Sequence, residues 1–522
     1  MSRFRQVPQA ALAIAALAVA VRLLTFLTQA IIAKKFGASS LSDAYFAAES
    51  VILLLTDLIV VGFTMVFIPV FAKQRVAQGE HGARRFVGSF GLFSIAVSLA
   101  LAAFVAAASP LLARIVAPGF HGQTQELTIQ LLRVMSMSIA FLGLTADLTG
   151  LLRSDRQFIV PELAQVGYGA ALLGAALFLT DKLGVMALAW GTVLASFIRL
   201  AVQLPSAVNR RSIKPSGELD WAATKRAAKL LAPLLIAHSG LRVTLILDWI
   251  VASGLPEGSV AALNLASRLA LLPVGILAIP LRRAMLPTLS QHAAKGQLQR
   301  IGEAVVSALR VLLFAVVPIC AGSIALRVPL IRLLFERGAF VHSATLITSQ
   351  ALAFYALGIP AIAGIFFLNG VYFSLGDPLT PMKVNVASWA INLVLNLALS
   401  RYLGPNGIAL ATAASSTATF ISLLYILKRE KLNSLDLRSL FGSLARMFPA
   451  AASMGVLLLG LLRLLNAVPI LTRFDPQALE MGIAILGGGL TYLAGAMAFG
   501  MEELTTLAAA VAGFFKPERA IQ

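Results

Sequence analysis

An arginine at position 22 stands near the middle of the apolar run LAVAVRLLTFLTQAII, residues 17–32. Thr25 and Gln29 follow at i+3 and i+7, so the three share one face of a helix. A mid-span guanidinium costs on the order of 3 kcal/mol on insertion scales, so it should face a protein interior or a watery cavity. The intrusion recurs. Asp43, Glu49 and Asp57 fall on the second apolar run, His238, Ser239, Arg242 and Asp248 on the seventh, and Asn264, Ser267 and Arg268 on the eighth. Arginines presented by two halves of a chain to one cavity describe a site for an anion, and their forked donors suit phosphates in particular. The candidate substrate-binding residues are Arg22, Thr25, Gln29, Asp43, Glu49, Arg242 and Arg268. The competing role is a latch between helices, with Arg22 on Glu49 or Arg242 on Asp248. Asp248, Asn392 and Asn396 could line a cation site with oxygens, although interhelical hydrogen bonding is the commoner role for such amides. Arg133, Arg199 and Arg310 lie nearer span ends and are expected to snorkel to headgroups.

The elements that must hold these groups are membrane helices. Of 522 residues, 59% are hydrophobic and 12% charged, whereas a soluble chain carries about a quarter charged residues. Fourteen apolar runs long enough to span are expected, at about 9–33, 44–72, 86–112, 129–152, 158–180, 185–207, 229–252, 261–286, 304–326, 346–374, 384–401, 407–427, 446–467 and 478–500. Helices satisfy their own backbone groups in hydrocarbon, so the fold class is an all-α polytopic membrane protein. The first run is too long for a signal peptide and lacks a small-x-small cleavage site. Cys320, the single cysteine, sits in an apolar run and supports neither a disulfide framework nor a cysteine metal site.

The net charge of +19 is not a nucleic-acid signal, because the basic residues collect in alternate connectors. Connectors after even-numbered runs, with both termini, hold about 26 Lys and Arg against about 10 on the other side, which puts both termini in the cytoplasm.

The chain resembles itself at a lag of about 220 residues. LGVMALAWGTVLASFIRLAVQL (183–204) answers LGPNGIALATAASSTATFISLL (403–424), SDRQFIVP (154–161) answers GDPLTP (376–381), and VFIPVFAK (66–73) answers AMLPTLSQ (284–291). A duplicated six-span unit follows, both copies pointing the same way, as in alternating-access transporters. The expected division is an N-lobe at 1–208, a basic cytoplasmic linker at 209–228, a C-lobe at 229–427, and two extra helices with a cytoplasmic tail at 428–522.

The five histidines show no ligand spacing, and no P-loop, nucleotide-binding glycine fingerprint or Ser-His-Asp set is present. An enzyme is the least favoured class, and no cofactor is expected. The work of transport is left to the membrane potential, an ion gradient or the substrate's own gradient.

RLLTFLTQAIIAKKFGASSLSDAYFAA (22–48), IVAPGF (115–120), LFERGAF (334–340) and YFSLGDPLTPMK (372–383) resemble the MurJ (MviN) lipid II flippases of the multidrug/oligosaccharidyl-lipid/polysaccharide exporter superfamily. The resemblance runs through all the spans. It implies two parallel six-helix lobes around a cationic cavity, two extra C-terminal helices forming a lipid-tail groove, and a place in the bacterial inner membrane. The implied task is moving a lipid-linked glycan pyrophosphate, the peptidoglycan precursor, to the periplasmic leaflet, among membrane lipids and in contact with cell-wall synthases. The family's first-span arginine matches Arg22, its acidic residue entering span 2 matches Asp43, and its span-8 arginine matches Arg268. Two further family arginines fall on Thr28 and Thr56, and an acidic position falls on Val61. That departure leaves open a divergent paralogue handling an O-antigen, capsule or exopolysaccharide precursor. A scaffold that binds the precursor without moving it is the rival from another class. A cation-coupled drug exporter fits the arginines poorly.

Overall fold

The computed structural model describes residues 2–208, 218–238, 240–467 and 476–506. Every regular element among them is helical. In chain order these are α1 (Ser2–Phe36), α2 (Ser40–Thr56), α3 (Gly62–Ala107), α4 (Ser109–Val116), α5 (Gly122–Ser136), α6 (Leu142–Ser154), α7 (Ile159–Phe178), α8 (Thr180–Leu183), α9 (Met186–Val208) and α10 (Trp221–His238). There follow α11 (Gly240–Ala252), α12 (Ser259–Pro273), α13 (Ile279–Ala294), α14 (Leu298–Ala325), α15 (Arg327–Phe335), α16 (His342–Ser374), α17 (Leu379–Leu403), α18 (Pro405–Ile426), α19 (Leu437–Ala467) and α20 (Pro476–Ala498).

Twelve helical stretches among the described residues are long and apolar enough to cross a bilayer. The longest, 40–107, is interrupted at Gly79, whose φ of 67° and ψ of −161° no helix accommodates. It therefore carries two of the expected spans. The seventh expected span, 229–252, falls on α10 and α11 and includes side chains outside the described residues. The expected count of fourteen is thus approached but not reached.

The backbone carries the duplication more plainly than the side chains do. Left-handed φ values occur at Gly37, Gly79, Gly122, Arg156 and Gly184, and again at Gly258, Gly296, Gly338, Gly376 and Gly404, each pair 216 to 221 residues apart. A π-helical turn at Asp57–Val61 likewise has a counterpart at Val274–Ala278. Each π turn precedes a proline within the next helix, Pro69 or Pro287. Chance similarity among apolar helices would not repeat turn geometry in this order.

Contacts divide the chain into two compact units, Met1–Ala261 with Arg337–Val341, and Ala262–Glu336 with His342–Gln522. In the first, α3 packs on α6, α7 on α9 and on α1, and α10 on α3. Phe67, Phe71, Phe86 and Phe90 fill its interior with stacked and tilted rings. α10 and α11, assigned to the second lobe by the repeat, make contacts with α3, α2 and α4 in this unit. In the second unit α16 packs on α18 and α14, and α19 packs on α14 and α20. Residues 209–217 of the expected linker lie outside the described residues.

Candidate functional site

α1 is rich in Ala, Leu, Val and Ile, which favour a long lipid-embedded helix, and it ends where Gly37 turns left-handed. A Cβ at Gly37 would collide with the carbonyl of Ala339, so both conformation and space require glycine there. Arg22 and Thr25 are exposed on α1, and Gln29 below them is buried with its Oε1 unpartnered. Val19, Leu23 and Leu27 are exposed too, about 60° to 140° round the helix from Arg22. The exposed arc of the helix therefore runs from a polar edge, Arg22 and Thr25, to an apolar one. The apolar one suits lipid, and the Arg22 face suits water. Thr25 turns its hydroxyl onto Val21 O at 2.8 Å. Among the described residues Arg22 has no ion pair, so the expected alternative of a latch to Glu49 is not formed. Glu49 itself is buried, with the Tyr45 hydroxyl 3.5 Å from its Oε1.

Asp43 has a different task. It is 3% exposed, and its Oδ2 and Oδ1 accept the backbone N–H groups of Gly258 and Ala261, each at 2.7 Å. A carboxylate at a helix N-terminus satisfies orphan donors and meets the positive end of the helix dipole. Asp43 thus caps α12, and both its oxygens are engaged and buried while the cap stands. Around it the odd-side connectors interlock. Ala339 N–H donates to Lys34 O at 2.8 Å, and Gly119 N–H to Ser253 Oγ at 3.0 Å. The motifs IVAPGF and LFERGAF are the segments that make this seal.

Arg242 was expected either to face substrate or to pair with Asp248. It pairs instead with Asp57 on the π turn, Nη2 2.8 Å and Nε 2.9 Å from Oδ2, with the side chains 28% and 38% exposed. Asp248 is fully buried in α11; at i+6 it lies off the Arg242 face of the helix. His238 and Ser239 have side chains outside the described residues. Thr28 and Thr56 close their hydroxyls onto Leu24 O and Ile52 O of their own helices.

In the second unit, Arg268 is half-buried and donates its Nε to Asn264 Oδ1 at 2.7 Å, one helical turn earlier. Asn396 donates to Asn392 Oδ1 at 3.1 Å, and Asn392 to Thr412 Oγ1 at 3.3 Å. The two amides thus bond within α17 and across to α18, and Asp248 belongs to the other unit. No group of three or more His, Cys, Asp or Glu that could hold a metal occurs among the described residues.

Two of the three arginines expected to snorkel do something else. Arg199 is 8% exposed inside the first unit, and Arg310 donates to Glu503 at 2.7 Å and Glu502 at 3.0 Å. The overlooked signal for Arg199 was a polar stripe on α9, Thr192, Ser196, Arg199 and Gln203, all buried. Glu503, outside the spans, loses solvation, but the nearby Ser443 hydroxyl and the bond from Arg310 outweigh this and hold its carboxyl below its ordinary value. An apolar cavity of about 480 Å³ lies between α14, α15, α19 and α20, lined by Gly322, Leu326, Met454, Leu458, Gly488 and Tyr492 among others.

These helices superpose on an inward-facing multidrug resistance transporter of the MATE family with a TM-score of 0.67 and 15% identity, over 79% of this chain and 95% of that one. The chain therefore shares that transporter's fold. A lipid II flippase MurJ in an inward closed conformation matches more fully, with a TM-score of 0.76 and 24% identity over 94% of this chain and 99% of that one. The family model described as lipid II flippase MurJ matches residues 32–473. A probable lipid II flippase MurJ of Rhizobium tropici is 30% identical over 424 residues, 78% of each chain. The lipid II flippase MurJ of Burkholderia cenocepacia is 28% identical over 414 residues, 77% of this chain and 80% of that protein. The chain belongs to the lipid II flippase MurJ family.

Proposed function

We propose that this chain is a flippase that carries lipid II, the pyrophosphate-linked peptidoglycan precursor, from the cytoplasmic to the periplasmic leaflet of a bacterial inner membrane. Family membership supports the substrate. The observation that carries the mechanism is Arg22, an exposed guanidinium inside a membrane helix with no ion pair among the described residues. Such a group is stable in a bilayer only beside water or an anion. Arg22 and Arg268 grip the pyrophosphate, with Thr25 and Gln29 completing the polar face. The apolar cavity of α14, α15, α19 and α20 takes part of the isoprenoid tail, which is held there by close packing, since hydrocarbon gains no hydrophobic energy on leaving lipid. Both termini lie in the cytoplasm, so the Asp43 seal is on the periplasmic side. Loss of the Asp43 cap opens that side, and its re-formation resets the carrier. No bond is broken, and the membrane potential or an ion gradient drives the cycle.

Arg22→Ala and Arg268→Ala are expected to abolish complementation of a depleted strain while both variants still insert. Wild-type growth from both would remove the proposed site. The departures at Thr28 and Thr56 favour a second reading, transport of another polyprenyl-linked glycan. Mass spectrometry of the lipid-linked intermediate that accumulates on depletion separates the two.

A further inference from the structure

In the first unit the guanidinium groups of Arg153, Arg199 and Arg242 share the two carboxylates of Asp57 and Glu162. Arg153, at the end of α6, pairs with Glu162 of α7 at 3.3 Å. Arg242 of α11 pairs with Asp57. Arg199 of α9 is the third cation, and among the described residues it has no ion pair. Its Nε has no hydrogen-bond partner and is sealed from solvent. The charges that reach it are those of Arg153, Asp57 and Glu162, with the Tyr168 hydroxyl nearby. Withdrawing a guanidinium from water without a counter-ion costs several kcal/mol. A folded chain tolerates that in one state when another state supplies the partner.

Glu162 is already held by Arg153, which leaves Asp57. Its pairing with Arg242 is partly open to water, so an incoming anion can displace it. Asp57 also opens the π-helical turn 57–61, a geometry that inserts one residue into the helix and is relieved by a shift of register. Such a shift swings a side chain by about 100°.

Resting on the flippase reading above, we infer that Asp57 is an internal stand-in for the substrate's phosphate. It neutralises Arg242 while the site is empty and transfers to Arg199 when a phosphate takes Arg242. Arg242 is then a third headgroup cation, and Asp57 with Arg199 sets how tightly it binds. The one surplus positive charge of the cluster is always left for the anion.

The test uses purified full-length protein in nanodiscs, with farnesyl pyrophosphate as the anionic probe and farnesol as its uncharged counterpart. Asp57→Asn removes the competitor and should tighten farnesyl pyrophosphate binding on the order of tenfold. Arg199→Gln strands Asp57 on Arg242 and should weaken binding by a similar factor. The double variant should bind like Asp57→Asn alone, because Arg199 matters only through Asp57. Arg199→Lys should behave as wild type, which separates charge from packing. Unchanged or weaker binding by Asp57→Asn, or an Arg199→Gln loss that persists in the double variant, overturns the inference. Should Arg199→Gln fail to fold, the Asp57→Asn result decides alone. A wild-type preference for the pyrophosphate that needs Arg22 but ignores Asp57 would sink the stand-in and keep the flippase. No wild-type preference for the pyrophosphate would sink both.

Discussion

The two copies of the repeat share a backbone and diverge in chemistry. Arg22 and Arg242 stand 220 residues apart, each in the first span of its copy. Arg22 is exposed and unpaired among the described residues, whereas Arg242 is held by Asp57. Asp43 and Asn264 likewise occupy matching places, six residues after Gly37 and Gly258. The charged one caps the helix that begins the other copy's equivalent span, and the neutral one steadies Arg268. Duplication supplied the frame, and the work was then divided between the halves. One half offers a bare cation. The other offers a cation under restraint.

The largest expected effect breaks this contrast at its centre. Arg22→Ala should reduce transport at least a hundredfold in a complementation or flux assay, on the order of the 3 kcal/mol that a lost charge-assisted contact costs. Arg242→Ala should cost less, since the same change also frees Asp57. Equal losses would mean that the two arginines are not differently engaged.

Next comes the seal. Asp43→Ala leaves the α12 N-terminus uncapped, a loss of about 1–2 kcal/mol. Thiol labelling from the periplasmic side of a cysteine placed at Ala38 should rise about tenfold. Asp43→Asn, which keeps one acceptor oxygen, should fall between. Labelling unchanged in both would show that the cap does not hold the seal.

Smaller effects test whether the copies share turn geometry. Arg156 holds φ 60° where the second copy has Gly376 at φ 73°. A left-handed non-glycine residue costs about 1 kcal/mol. Arg156→Gly should therefore stabilise the protein by about that amount in a thermal melt, and Gly376→Ala should destabilise it by as much. Opposite signs support the pairing, and equal signs refute it.

The smallest concerns Asp377, beside Gly376. Burial pushes its carboxyl up, but bonds from Thr380 Oγ1 and N–H and from Lys431 Nζ at 3.0 Å prevail and hold it below the ordinary carboxylate range. A depressed folded value contributes stability above the unfolded value near 3.9, and that stability is lost as pH falls through the folded value. Asp377→Asn should flatten the acid limb of the melting curve below about pH 4, with no change in shape near neutrality.

Much of this was legible in the residues, for reasons that also explain what was not. Spans and their helical character follow from apolar runs of bilayer length, and the face shared by Arg22, Thr25 and Gln29 follows from helical spacing alone. The seventh span is the exception, since Ser239 and the side chains around it lie outside the described residues. Partners distant in sequence were the blind spot. Asp43 meets Gly258 across 215 residues, Arg242 meets Asp57 across 185, and Arg310 meets Glu503 across 193. Arg242 and Asp248 share one apolar run but are poorly placed to pair at i+6, and nothing local points to a π turn in span 2. Arg199 lies near a span end, which suggests snorkelling, whereas the polar stripe it shares with Thr192, Ser196 and Gln203 marks a face buried in protein.

Reconstituted leaflet translocation tests the central claim most directly. Proteoliposomes containing the full chain should move fluorescent lipid II from one leaflet to the other, and Arg22→Ala should reduce that movement to the rate of protein-free vesicles while lipid II lacking its pyrophosphate is not moved at all. Translocation by Arg22→Ala at the wild-type rate would contradict the account.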